Sequence, residues 1–262
     1  MSNKNQMQER ATSYYTATAN KAGNYPRLQG SEVADVCVVG AGFTGLATAL
    51  NLAEHGYSVA MVEANRVGWG ASGRNGGQVI CDFSGAEKFR KHYGETVSDL
   101  MWDLKWRGND IIFDWVDKYQ IDCDLKPGYI ETALKPRHLR YFEESQKELQ
   151  QRGFPYEYNI LDRDETRSTL GTEAYIGSMI NMRNGHLHPL NLCLGEARAA
   201  TALGVKIYEQ SPVTEIVHGE KPTVVTAGGR IQANTVVLAG NAYHKLERKH
   251  LAGLTFPAGS YI

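Results

Sequence analysis

The stretch that decides the fold is Val36-Cys37-Val38-Val39-Gly40-Ala41-Gly42-Phe43-Thr44-Gly45. Its first four residues form a short, mostly β-branched apolar run flanked by Asp35 and by glycine, the pattern of a strand buried on both faces of a parallel sheet. Working outward, Leu46, Ala49, Leu50 and Ala53 recur at helical spacing, and Gly56 supplies a helix stop. Val59-Ala60-Met61-Val62 is then a second apolar run. Strand, glycine turn, helix and strand within about thirty residues make a βαβ unit.

The glycines match G-x-G-x-x-G where the physics of the motif requires it, between a strand and a helix. Gly40 permits the tight turn, Gly42 lets main chain approach a pyrophosphate, and Gly45 allows close packing of helix on strand. Phe43 and Thr44 fall in the first helical turn, whose free N–H groups and dipole favour an anion. Glu63 closes the second apolar run, followed by Ala64, and an acidic side chain there accepts hydrogen bonds from ribose hydroxyls. A 2′-phosphate beside this carboxylate would meet like charge, so NADP is disfavoured. NAD and FAD both stay open on these residues.

The segment from Arg66 to Gln78 carries five glycines between Gly68 and Gln78. A sustained helix is excluded there, and the missing Cβ atoms allow main chain to lie against a flat ring or a phosphate. Ser72, Arg74 and Asn75 add polar groups to the same loop.

Composition narrows the function further. The 262 residues carry 28 Lys+Arg against 29 Asp+Glu, a net charge of −1, so nucleic acid is disfavoured as a partner. No run approaches the roughly 18 apolar residues of a spanning helix, and the N-terminus is too polar for a signal peptide, which points to a cytoplasmic protein. Cys37, Cys81, Cys123 and Cys193 form no C-x-x-C pair and read as reduced, buried residues.

Beyond the glycine loops, residues 87–120 are expected to be helical, with Phe89, Leu100, Leu104, Ile111, Ile112, Trp115 and Val116 facing inward. A strand is expected from Gly128 to Leu134, a helix from Pro136 to Gln151, a strand from Ala174 to Met182 and a helix from Pro189 to Leu203. Short strands are expected at Val205–Tyr208, Val213–Val217, Thr223–Thr226 and Val236–Ala239, with Gly228-Gly229 as a hairpin turn.

With these motifs in place, the segment Asp35–Gln78, including Ala71-Ser-Gly-Arg-Asn-Gly-Gly77, resembles the FAD-binding core of the D-amino-acid oxidase-type flavoproteins. Within them, Ser13-Tyr14-Tyr15, Tyr119-Gln-Ile-Asp-Cys-Asp124 and Gly185-His-Leu-His-Pro-Leu-Asn191 are similar to the gamma-glutamylputrescine oxidoreductase group. The resemblance implies FAD as cofactor and an α/β fold: a Rossmann-like FAD-binding domain with a parallel sheet, plus part of an α+β substrate domain. It implies that Gly40, Gly42 and Gly45 hold the pyrophosphate and Glu63 the adenosine ribose. Ala71, Ser72, Arg74, Asn75, Gly76, Gly77 and Gln78 would hold the inner pyrophosphate and flavin edge. Val213 would meet adenine through its backbone, and Ala239-Gly240 would approach the cofactor.

Residues 1–33 are polar, contain Pro26 and show no sustained periodicity, so they read as a surface arm; the resemblance implies an FAD-binding domain from 34–80 and 189–242 and a partial substrate domain from 81–188 and 243–262. The implied reaction is oxidation next to an amine: hydride passes to FAD, water hydrolyses the resulting imine, and oxygen or another acceptor takes up the electrons. Gamma-glutamylputrescine is the expected substrate, with a sarcosine-like amine or a D-amino acid as alternatives. No catalytic side chain is assigned. Members of the family are longer, so the chain is expected to be a C-terminally truncated copy with an exposed sheet edge; an inactive nucleotide-binding fragment is the remaining reading.

Three groupings are weighed and set aside. His186 and His188 stand at i and i+2, and imidazole suits metal binding or acid–base work, but no third ligand is evident and Pro189 marks a turn into a helix. No metal site is therefore assigned. Asp122 and Asp124 read as a solvated loop, and Trp102 to Trp115 as helix core.

Overall fold

The Val36–Val39 run forms the end of a ten-residue strand, β1 (Gly30–Val39), in the computed structural model, which describes residues 10–81, 86–243 and 246–247. Contacts divide the chain into two units. The first comprises Met1–Gly76, Trp115–Cys123 and His188–Ile262, the second Gly77–Asp114 and Asp124–Leu187. The expected arm at 1–9 and most of the 243–262 stretch lie outside the described residues.

In the first unit, a short helix α1 (Tyr14–Ala17) precedes β1, which is followed by α2 (Phe43–Glu54) and β2 (Val59–Val62). The six-stranded sheet runs β7 (Lys206–Tyr208), β2, β1, β10 (Gly229–Leu238), β9 (Thr223–Thr226), β8 (Val213–Val217). The first four are parallel; β9 pairs antiparallel with both β10 and β8. All four residues of β2 are buried, as are Val36 to Val39, which explains why both runs lack any polar alternation.

Strand β1 begins at Gly30, inside the expected arm, because its ladder with β10 runs from Gly30↔Gly229 to Val39↔Leu238. Its outer half is exposed, Val33 to 75%. Backbone pairing, which leaves no hydrophobic pattern, extends the strand there. Helix α6 (Pro189–Ala202) starts on Pro189 and is buried along most of its length, packing on α2. Residues 115–123 join this unit through Glu54, whose carboxylate accepts from Trp115 Nε1 at 3.3 Å, Lys118 Nζ at 2.7 Å and Tyr119 Oη at 2.5 Å.

The second unit carries a four-stranded antiparallel sheet. The long strand β6 (Gly177–His186) pairs with β3 (Gln78–Val79), β4 (Lys126–Ala133) and β5 (Tyr158–Leu161). Helix α4 (Pro136–Gln151) packs Phe142 and Leu149 inward. The segment 158–170 was not read from periodicity. It holds β5 and α5 (Arg163–Leu170), which is defined by its ends: an Asp162–Glu165 capping box and a left-handed Gly171.

Helix α3 (Ala86–Lys118) has nearly the expected extent, with Trp115 buried and Phe89, Ile111, Ile112 and Val116 half-buried as expected, but Leu100 and Leu104 do not face inward. Leu100 and Leu104 are 56% and 47% exposed, whereas Trp106 and Asn109 are buried. Two positions correspond to about 200° of helical rotation, so a face centred on Trp102 and Trp106 turns Leu100 and Leu104 outward. Gly94, at φ +81°, breaks the helix upstream of these positions. Among the described residues, no helix is long and apolar enough to cross a membrane.

Candidate functional site: two glycine loops at the ends of parallel strands

The first glycine loop is held between neighbouring strand ends. The Gly40 amide donates to the Val62 carbonyl of β2 at 2.8 Å, and the Ala239 amide donates to the Val39 carbonyl at 2.8 Å. This brings Ala239-Gly240 beside Gly40. With φ at +109°, Gly40 uses a conformation that L side chains rarely adopt, and a Cβ on it would lie 2.7 Å from the Ala239 carbonyl oxygen. A Cβ on buried Gly45 would fall on the carbonyl of Gly40, the close helix–strand approach the motif requires.

Gly42 is the N-cap of α2, in extended conformation and with no side-chain cap of its own. The cap comes from the second loop: Ser72 Oγ accepts the Phe43 amide at 2.9 Å. A Cβ on Gly42 would stand 2.7 Å from that oxygen. Thr44 is exposed at the same helix end. The loops are also joined directly, because the Gly68 amide donates to the Ala41 carbonyl at 2.9 Å.

Glu63 sits where the sequence places it, at the end of β2, and fastens the strand end to the loop. Its Oε2 accepts the Ala41 amide at 2.9 Å and its Oε1 the Asn65 amide at 2.8 Å. Burial raises its pKa, while the amides of Ala41, Asn65 and Ala64 pull it back down. Its carbonyl accepts the Ser211 amide at 2.8 Å, which holds the approach to β8 beside it; Val213, two residues on, is half-buried at the start of that strand.

In the second loop, Ala71–Gly73 form one turn of 3-10 helix rather than fully irregular chain. Asn75 Nδ2 donates to the Ser72 carbonyl at 2.9 Å and the Ala71 carbonyl at 3.2 Å, closing the turn on itself. Arg74 lies 4.4 Å over the Trp69 ring and donates from Nε to the Trp69 carbonyl at 2.8 Å, and Tyr243 packs edge-on against the same indole. Gly76 is exposed. Gly77 and Gln78 belong to the second unit, where the Gly77 carbonyl accepts from Leu187 at 2.8 Å and Gln78 opens β3 opposite His186.

Several residues that shape the loop escaped the sequence reading. Glu209, 2% exposed, accepts from Arg66 Nη1 at 2.6 Å and from the Val67 amide at 2.8 Å. Arg10 donates to the Val67 carbonyl at 2.8 Å, so two arginines and a buried carboxylate clamp the start of the loop. No short motif marks them, because Arg10, Arg66 and Glu209 meet only in the fold.

The two histidines part company. His186 ends β6, while His188 is the N-cap of α6. His188 Nδ1 accepts the Asn191 amide at 3.1 Å and its Nε2 lies 3.0 Å from Thr18 Oγ1, which itself donates to the Tyr14 carbonyl. That hydroxyl proton being committed, Nε2 is the donor to Thr18 and Nδ1 the acceptor. Tyr15 packs edge-on against the ring at 5.1 Å, joining the Ser13-Tyr14-Tyr15 segment to the start of α6. Among the described residues no group of three His, Cys, Asp or Glu could hold a metal ion, and the four cysteines are buried and form no disulfide.

Main chain free of Cβ atoms at Gly40 and Gly42, a helix N-terminus, and an acidic residue at the end of the adjacent parallel strand lie together, the arrangement general to dinucleotide-binding βαβ units. These features are those of the dinucleotide-binding class of α/β proteins. Residues 35–262 match the DAO family of FAD-dependent oxidoreductases, and the chain belongs to that family, with FAD as its cofactor.

The chain is 40% identical over 259 residues to gamma-glutamylputrescine oxidoreductase of Escherichia coli, covering 98% of this chain and 60% of that enzyme. It is 42% identical over 239 residues to the probable oxidoreductase OrdL of Haemophilus influenzae, covering 90% of this chain and 55% of that protein. The chain thus spans three-fifths or less of the length of these relatives. Among solved structures, L-amino acid deaminase from Proteus myxofaciens superposes with a TM-score of 0.73 at 26% identity, over 92% of this chain and 52% of that one.

Proposed function

We propose that the protein oxidises an amine with FAD, and that the amine is gamma-glutamylputrescine. The observation that carries the cofactor site is the joining of the two glycine loops by Ser72–Phe43 and Gly68–Ala41 above the end of β2. The substrate rests on the similarity to the Escherichia coli enzyme along nearly the whole chain. Residues 34–80 and 189–242, of which 34–76 and 189–242 lie in the first unit, serve as the FAD-binding domain. Residues 81–188 and 243–262 belong to the substrate domain.

In this reading Gly40, Gly42, Phe43, Thr44 and Gly45 present main chain to the pyrophosphate. Glu63 gives up one or both of its loop contacts to accept from the ribose hydroxyls, with Ala64 beside it. Ala71, Ser72, Arg74, Asn75, Gly76, Gly77 and Gln78 form the wall toward the ring, Val213 meets the adenine through main chain, and Ala239-Gly240 close the strand end. Bound FAD supplies a two-electron acceptor for hydride from the carbon bearing the amine. The protein's share is to hold that carbon in position and exclude bulk water until the imine has formed. With oxygen as terminal acceptor, one amine, one water and one oxygen give aldehyde, ammonia and hydrogen peroxide.

The test is anaerobic mixing of the FAD-loaded protein with gamma-glutamylputrescine, putrescine, sarcosine or D-alanine. Bleaching of the flavin absorbance by gamma-glutamylputrescine at lower concentration than by the others is expected. Bleaching by sarcosine or D-alanine alone overturns the substrate and leaves the cofactor site standing.

A further inference from the structure

Val67 leads into the second glycine loop, and both of its peptide groups are taken by charged side chains. Its amide donates to Glu209 Oε1 at 2.8 Å, and its carbonyl accepts from Arg10 Nη2 at 2.8 Å. Val67 is itself fully buried. A cationic donor on the carbonyl and an anionic acceptor on the amide hold one residue more firmly than neutral partners would.

The loop beyond depends on that residue. With five glycines between Gly68 and Gln78, it has little conformational preference of its own, so contacts have to impose its shape. Gly68 donates to the Ala41 carbonyl at 2.9 Å and so joins the two glycine loops. A Cβ on Gly68 would stand 2.9 Å from Leu190 Cδ1 and 3.1 Å from Cys193 Cβ, both of α6. Gly73, which ends the 3-10 turn carrying Ser72, lies against the Gly68 carbonyl, and a Cβ there would fall on that oxygen. In packing this close, a shift at Val67 passes to Gly68, and from Gly68 to the turn whose Ser72 caps α2.

Arg10 reaches Val67 from a segment fixed on the same helix. Thr18 meets His188 at the start of α6, and Asn20 donates from its amide to Asn191 Oδ1 at 2.8 Å and from Nδ2 to the Asp122 carbonyl at 2.6 Å.

We propose that Arg10 is a positioning residue for the cofactor, holding the Val67 carbonyl so that the second glycine loop already has the form that receives FAD. The proposal rests on the joined glycine loops being the FAD cradle. Arg10 acts through Val67 and Gly68.

The test compares FAD dissociation constants, from flavin fluorescence titrations, of the parent, Arg10→Met, Arg10→Lys and Gly42→Ala, at a temperature where each is folded by circular dichroism. Arg10→Met keeps an apolar stem and removes the charged donor; its dissociation constant is expected to rise about tenfold or more, the equivalent of one charge-assisted hydrogen bond. Arg10→Lys is expected to recover part of the loss, since it keeps a cationic donor without the planar fork. The visible circular dichroism of flavin bound to Arg10→Met is expected to differ from that of the parent, a signature that a contact serving stability alone does not move. If Arg10→Met does not fold, Arg10→Gln takes its place. With Gly42→Ala impaired, an unchanged dissociation constant in Arg10→Met overturns this proposal alone, as does a loss that Arg10→Lys does not recover and that leaves the bound-flavin spectrum unmoved. An unimpaired Gly42→Ala overturns the cradle and the proposal with it.

Discussion

Ser72 Oγ accepts the Phe43 amide at 2.9 Å, so the second glycine loop caps the helix that the first loop opens. The helix N-terminus and the second glycine loop are thereby one structure. Ser72→Ala is expected to cost about 0.5–2 kcal/mol, the range for a lost N-cap, and to weaken FAD binding. Gly42→Ala places a Cβ 2.7 Å from that hydroxyl and is expected to weaken FAD more strongly. The double variant is expected to recover part of the Gly42→Ala loss, because the obstructing hydroxyl is gone; a cycle of FAD dissociation constants and melting temperatures measures the coupling.

Glu209 is the buried partner of Arg66 and of the Val67 amide. Removing it leaves Arg66 without its ion-pair partner, the Val67 amide without its acceptor, and Arg10 without a nearby negative charge. Glu209→Ala is expected to cost about 1–3 kcal/mol, the range for leaving the buried Val67 amide without its acceptor, since Arg66 is 41% exposed and water takes up its guanidinium. Chemical denaturation of the variant checks this, and a loss under about 1 kcal/mol would mean that water replaces the carboxylate at little cost.

Glu196 lies in α6 with burial raising its pKa from 4.5 to about 8, and its Oε2 has no partner among the described residues. Between those values the native state keeps a proton that the unfolded state releases. Stability is therefore fully present below the lower value and falls as pH rises through the upper one. Glu196→Gln is expected to melt close to the parent at pH about 4.5 and several degrees above it at pH about 8, as a neutral group avoids the ionisation penalty. Parallel pH dependences for the two proteins would place the titration elsewhere.

His188 caps α6 through Nδ1 and faces Thr18 through Nε2. His188→Asn retains a side-chain acceptor for the Asn191 amide and is expected to cost less than His188→Ala, which loses about 1 kcal/mol of capping. Limited proteolysis is expected to cut the 10–20 segment faster in both variants, since both lose the Tyr15 and Thr18 contacts. Unchanged cleavage would show that Asn20, donating to Asp122 and accepted by Asn191, holds the segment by itself.

The nucleotide-binding core was legible because its determinants are local. The apolar runs at 36–39 and 59–62, the glycine spacing and Glu63 each act within one βαβ unit, and the structure puts them on adjacent strand ends. The Gly228-Gly229 turn was legible for the same reason, joining β9 to β10 as a hairpin. Elements fixed by ends or by partners were not. Helix α5 depends on the Asp162–Glu165 box more than on periodicity, and β1 extends to Gly30 through pairing with β10. The middle of α3 turns Leu100 and Leu104 outward because Trp106 packs on Phe154, a partner distant in sequence that a count of apolar positions does not register. The Arg10–Glu209–Arg66 clamp draws on residues distant in sequence, and only the fold brings them together.

The most direct test of the FAD site is the visible absorption spectrum of the purified protein after incubation with FAD and removal of the excess by gel filtration. The account predicts a retained, protein-bound flavin spectrum that is diminished in Gly42→Ala and in Glu63→Ala, with both variants still folded by circular dichroism. A colourless but folded protein, or flavin retained equally by all three, would contradict the assignment of the joined glycine loops and Glu63 as the cofactor cradle.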